Sequence, residues 1–110
     1  MKIVSWKREE TVTPNRAHQH GDYRIVIIET VRISDGDRTI DAWRNFMIGV
    51  HSSGRTEPAW SSWSLHFLRE RKNADLLEAH YRPRVEAIAN HLSSLPTVQE
   101  RLQCAMREHD

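Results

Sequence analysis

Cysteine is nearly absent from this chain. Cys104 stands alone, so no internal disulfide can form and a reducing compartment is the expectation. Long apolar runs are missing too. No segment approaches the roughly 20 residues that cross a bilayer, and the opening MKIVSWKREE carries too short an apolar stretch for a secretory leader. A cytoplasmic protein without membrane contact is expected. Charge imbalance is also lacking. Lys plus Arg is 16 and Asp plus Glu is 15, a formal charge of +1. Divided after residue 55, the first half holds nine basic and seven acidic residues and the second seven and eight. Neither half is a basic arm or an acidic tail, which argues against a dedicated polyanion binder.

Catalytic signatures are missing as well. There is no Walker A loop, dinucleotide fingerprint, HExxH helix, paired CxxC, EF-hand loop or G-x-S-x-G elbow. The sequence therefore reads as a non-enzymatic protein with no cofactor and no catalytic residue.

What is present is a strong β pattern. Tyr23 to His51 reads as two long strands, YRIVIIETVRI and TIDAWRNFMIGVH, joined by a tight turn in which Asp35-Gly36 supplies a positive φ. In the first arm both parities are apolar at the middle, as in a central strand covered on both sides. In the second, Ile40, Ala42, Phe46, Ile48 and Val50 share a side, with Arg44 as the exception; Trp43, Met47 and His51 lie on the other. Lys2 to Thr13 reads as a further strand, and its charged middle Lys7-Arg8-Glu9-Glu10 suits a sheet edge. Pro14 to Asp22 and His51 to Ala59 read as loops. Trp60 to Arg69 reads as a fourth strand, with a helix as the alternative, because Trp60, Trp63, Phe67 and Arg71 also fit one helical stripe.

From Asn73 the period becomes helical. Leu77, Tyr81, Val85, Ile88, Leu92 and Leu95 fall on one stripe, with Pro83 nearly opposite, so either one bent helix over about 74–94 or two helices broken at Arg82-Pro83 would satisfy the pattern. Thr97-Val-Gln-Glu100 is a capping box. The helix it opens is predicted to run to about Glu108, with Val98, Leu102, Ala105 and Met106 inward and Cys104 partly exposed and inert. The expected architecture is α+β: one domain over 1–110, a four-stranded antiparallel meander within about 2–69, and two or three C-terminal helices within about 73–109 packed on one sheet face.

Two compositional excesses bear on function. There are four Trp, and thirteen Arg against three Lys. Trp and Arg are the types most enriched at interface hot spots, although large aromatics in a small domain also serve as core. Trp43, Arg44, Arg55, Trp60, Trp63 and Arg69 gather around the third and fourth strands and are nominated as a protein-binding surface. The expected activity is binding by protein–protein contact, with a homodimer also expected because a meander leaves sheet edges to cover. By analogy alone, compact proteins that act this way include phage inhibitors of bacterial defence, such as anti-CRISPR proteins, and toxin-immunity proteins. No motif here establishes such membership.

Two alternatives have specific residues behind them. A nucleic-acid-binding sheet face would use Trp43, His51, Arg24 and Arg32, although the near-neutral balance weighs against it. A metal-dependent enzyme would use the loop His18-Gln-His20-Gly-Asp22, whose two imidazoles and carboxylate need at least one more ligand from elsewhere, with His51 and His66 as candidates. The pair His51-Ser52 has no oriented base or oxyanion hole to support nucleophilic chemistry. His80, Arg84 and His91 form a polar flank of the long helix.

Overall fold

The hairpin forecast from Asp35-Gly36 fixes the whole sheet. The computed structural model describes residues 1–14, 23–51, 54–55, 59–70 and 72–109, with backbone alone described at 13–14, 23, 50–51 and 54–55. Strand β2 (Tyr23–Asp35) turns through Gly36-Asp37 into β3 (Arg38–His51), and the two pair antiparallel from Asp35↔Arg38 to Tyr23↔Val50. Gly36 sits at φ 63, the left-handed region that favours glycine. Strand β1 (Lys2–Pro14) pairs antiparallel with β2 and forms a sheet edge, with one bulge between Ile3 and Ser5.

Along the other side of β3 run three short antiparallel pieces: β4 (Gly54–Arg55), β5 (Ala59–Trp60) and β6 (Ser64–Phe67). The fourth lane is thus a strand in fragments. This corrects two expectations. The segment His51–Ala59 is not wholly a loop, since Gly54–Arg55 pairs with Val50–His51. The fourth strand is interrupted between Trp60 and Ser64, where Ser61 bridges the gap by donating its N–H to the Asn45 carbonyl at 2.8 Å and accepting the Asn45 N–H at 3.0 Å.

The helical alternative for 60–69 does not occur. The chain instead turns at Arg69, whose φ is 63, and begins one helix, α1 (Ala74–Ser94), that runs through Pro83 without a break. Pro83 is exposed, so the hydrogen bond it removes lies on the side away from the core. Tyr81, Val85, Ile88, Ala89 and Leu92 are buried on the opposite side. Arg82 spans Glu78 and Glu86, four residues away in each direction, and also donates to the Trp63 carbonyl at 2.8 Å. The α+β order is as expected: among the described residues, an antiparallel sheet is followed by two helices.

Helix α2 (Val98–Met106) opens on the predicted capping box, with Thr97 and Glu100 satisfying each other's free backbone N–H. Its orientation differs from expectation. Cys104 is its buried residue and Ala105 packs against the core as expected, whereas Val98, Leu102 and Met106 are 60–77% exposed. The helix also stops at Met106, short of Glu108. Its rotation is set by β1: the Arg101 guanidinium lies 4.4 Å from the Trp6 ring centroid, and Glu108 forms a bridge to Lys2 at the sheet edge. Those contacts turn Arg101 and Cys104 inward and leave the apolar stripe outside.

The buried cluster joins one parity of the sheet to the helices. Ile3, Val31, Ile33, Ile40, Ala42 and Phe67 pack with Tyr81, Val85, Ile88, Ala89, Leu92, Trp63 and Cys104. Burying each large side chain contributes roughly 1.5–3 kcal/mol. This parity is called the inner set below, and the alternate residues the outer set. Polar pins hold α1 in register. Tyr81 donates to Asp35 at 2.5 Å and accepts from Arg38 at 3.2 Å, and Asn90 accepts the Trp63 indole N–H at 2.6 Å. No helix of the described residues is long and apolar enough to cross a membrane.

Candidate functional site

The outer set has exposed apolar side chains at its centre. Trp43 and Met47 of β3 are 43% exposed and Ile28 of β2 is 40% exposed, with Val26 half-buried between them. The register explains why they adjoin. Ile28 stands opposite Asn45 and Val26 opposite Met47, so the four residues occupy neighbouring positions on two paired strands. Leu, Ile, Met and Trp side chains scattered singly on a surface need no explanation, but a contiguous group does.

Ion pairs border this patch. Arg32 donates twice to Asp41, at 2.8 and 3.0 Å, and those hydrogen bonds push its already high pKa further up. Lys7 lies 2.6 Å from Glu9 on β1. Towards the β2–β3 turn the same side carries a groove of about 410 Å³, lined by Val4, Arg32, Ser34, Thr39, Leu68 and Arg69 among others. Its basic residues are offset by Asp37 and Glu70, which also line it. The arrangement is an apolar centre with a charged rim of both signs.

The six nominated residues do not form one surface. Trp43 belongs to the outer set and Arg69 lines the outer groove. Arg44, Trp60 and Trp63 belong to the inner side, where the Arg44 guanidinium lies between two indoles, 4.0 Å from the Trp60 centroid and 4.6 Å from that of Trp63. Trp63 is buried core, while Trp60 remains partly exposed and packs on Phe46 at 4.9 Å. Arg55 pairs with Val50 through its backbone, and its side chain lies outside the described residues.

Sequence reasoning missed the centre of the inner side. Glu29 is fully buried, and it is opposite Arg44 on β3 and Arg8 on β1. Arg44 donates to it at 3.2 Å, Arg8 lies 3.4 Å away, and Ser93 of α1 donates at 2.8 Å. Two buried donors, Arg44 Nε and Trp6 Nε1, have no hydrogen-bond partner among the described residues. The signal was available: Glu29 and Arg44 are the two charged exceptions on otherwise apolar parities, and a two-residue turn at 36–37 makes them partners.

The proposed metal loop, His18, His20 and Asp22, lies outside the described residues, as do Ser52, Ser53 and the His51 side chain. His66 is exposed on β6, opposite Asp41. Among the described residues no three His, Cys, Asp or Glu side chains are grouped to hold a metal ion. His80 and His91 are exposed on α1, with Arg84 half-buried on the same flank.

No family model, curated protein or solved structure matches the chain.

Proposed function

We propose that this protein acts by protein–protein contact, without catalysis, through the outer set centred on Trp43, Ile28 and Met47, the two helices packing across the opposite sheet face alone. The observation that carries the reading is the contiguity of three large apolar side chains, each about two-fifths exposed, on rigid paired strands. An aromatic anchor with aliphatic neighbours inside a charged rim is the composition of a hot spot. Strands hold such a patch in place without an ordering cost at binding. Of the cations bordering it, Arg32 and Lys7 are matched by Asp41 and Glu9, while Arg24, opposite Gly49, is exposed; a rim with most of its cations paired supports a protein partner over a phosphate backbone. Anti-CRISPR and immunity proteins, compact inhibitors that occupy a partner's surface, are the working analogy for choosing baits.

The test is affinity capture from the native host lysate with wild-type protein and with Trp43→Ala and Ile28→Asp, each with and without nuclease. A stoichiometric protein that survives nuclease and is lost from both variants supports the reading. Capture that disappears with nuclease transfers the function to nucleic acid. Capture unchanged in both variants moves the site away from the outer set.

A further inference from the structure

Three features distributed along β1 are incompletely covered among the described residues. The first is the outer edge of β1, which among the described residues is paired only at its beginning, by the Lys2–Glu108 bridge, and is open from Ser5 to Val12. The second is the exposed stripe Val98, Leu102 and Met106 of α2. The third is a shelf of inner-set residues beyond the Arg8–Glu29–Arg44 row: Val12, Ile25, Ile27, Phe46 and Ile48. None of the five is buried, although all continue the parity of the core.

We infer that a second copy of this chain covers all three, by antiparallel pairing of β1 with β1 about a twofold axis at Glu9. The symmetry limits the choice. With the axis normal to the sheet, residues opposite each other must point to the same side, so the axis passes through a residue and not between two. An axis at Arg8 would set Arg8 against its own copy on the inner side. An axis at Glu9 sets Arg8 opposite Glu10 of the other copy, twice, and Trp6 opposite Val12, twice. Glu10 has no ion-pair partner among the described residues, and Val12 is an exposed apolar residue on a charged strand. The one like-charge pair, Glu9 with itself, falls on the outer side, where Lys7 already lies 2.6 Å from each copy. Charge on an edge strand normally discourages pairing; here Arg8 and Glu10, half of the strand's central charges, are self-complementary.

The helices fit the same symmetry. Glu100, Gln103, Cys104 and Arg107 line a cleft against His91 of α1 and Leu95, which caps it. The flank of α2 bearing Val98 and Leu102 therefore points away from α1. Since α2 contacts β1, and α1 contacts β3 and β6, that direction leads past the free edge. Antiparallel pairing brings the second copy's shelf to this place, because the end of one β1 then lies beside the start of the other. Each α2 stripe covers the other copy's Val12 and the shelf behind it, and apolar area closes on both sides of the axis. Both outer sets remain uncovered and face the same way, so the dimer stands independently of the protein-contact reading above.

Sedimentation across a concentration series tests the assembly, and oxidation tests the register. A species of twice the 12.9 kDa chain mass is expected. Glu10→Lys makes both symmetric contacts repulsive and should weaken the dimer about tenfold or more, and Leu102→Asp should weaken it through the helix. Glu9→Cys places a thiol opposite itself, within reach of a disulfide, and should crosslink on oxidation. Lys7→Cys, opposite Thr11, should not, and wild-type protein with its buried Cys104 should not. A monomer at all concentrations overturns the inference. So does a dimer indifferent to Leu102→Asp that fails to crosslink through Glu9→Cys. Far-ultraviolet circular dichroism establishes that each variant is folded, and the Glu9→Cys result decides the register even where Glu10→Lys does not fold.

Discussion

Glu29 and Arg44 face each other across β2 and β3 as a buried ion pair, the carboxylate wholly out of solvent and the guanidinium held between two indoles. Ser93 of the long helix reaches the same carboxylate, so the pair joins sheet and helix at one point. Burying charge is costly, and removing Arg44 would leave the buried Glu29 with only Arg8, 3.4 Å away at the sheet edge, and the Ser93 hydroxyl. Arg44→Met should therefore lower unfolding stability by about 3 kcal/mol in urea titration. The double replacement Glu29→Leu with Arg44→Met should recover most of that loss. A double variant as unstable as the single would show that shape and not charge decides the site.

The tryptophans should separate by role. Trp63→Ala removes a buried ring that donates to Asn90 and should cost about 3–5 kcal/mol. Trp43→Ala should change stability by less than about 1 kcal/mol, yet remove partner capture. Urea midpoints measured beside capture yield distinguish the two. A large stability loss from Trp43→Ala would assign that ring to packing.

Gly36→Ala isolates backbone strain from clash. A Cβ at this position would meet nothing within 4 Å, but the φ of 63 remains unfavourable for alanine. A loss of about 1 kcal/mol is expected. Because the turn sets which residues of β2 and β3 are partners, amide exchange should rise first next to the turn, at Asp35 and Arg38.

Pro83→Ala should raise stability. The residue is exposed inside a continuous helix, and alanine restores the hydrogen bond to the Ala79 carbonyl. Alanine's advantage in a helix interior is partly offset by the freedom it returns to the unfolded chain, so a gain of about 1–2 kcal/mol is expected in thermal or urea unfolding. An unchanged or lowered midpoint would mean that the helix needs proline's bend to follow the sheet.

Local chemistry made much of this fold legible. The turn at Gly36, the capping box at Thr97 and the apolar stripe of α1 each rest on residues close in sequence, and each is found where its pattern put it. The rotation of α2 was not legible, because Val98, Leu102 and Met106 form a better stripe than Arg101 and Cys104. What turns the helix is a cation over Trp6, ninety-five positions away. The fragments of the fourth lane escaped notice for a similar reason: strands of two residues carry no period. As for the nominated surface, proximity in sequence grouped Trp43 with Arg44, and the pleat sends adjacent residues to opposite sides.

The row Arg8–Glu29–Arg44 also divides the sheet into two territories that bear differently on folding. Between the turn and the row, nearly every inner side chain is committed to the core, and change there threatens the fold. Beyond the row the inner side chains of the single chain are only partly buried. Side chains on that half can be exchanged at little cost to the core of the single chain, while those between the turn and the row cannot.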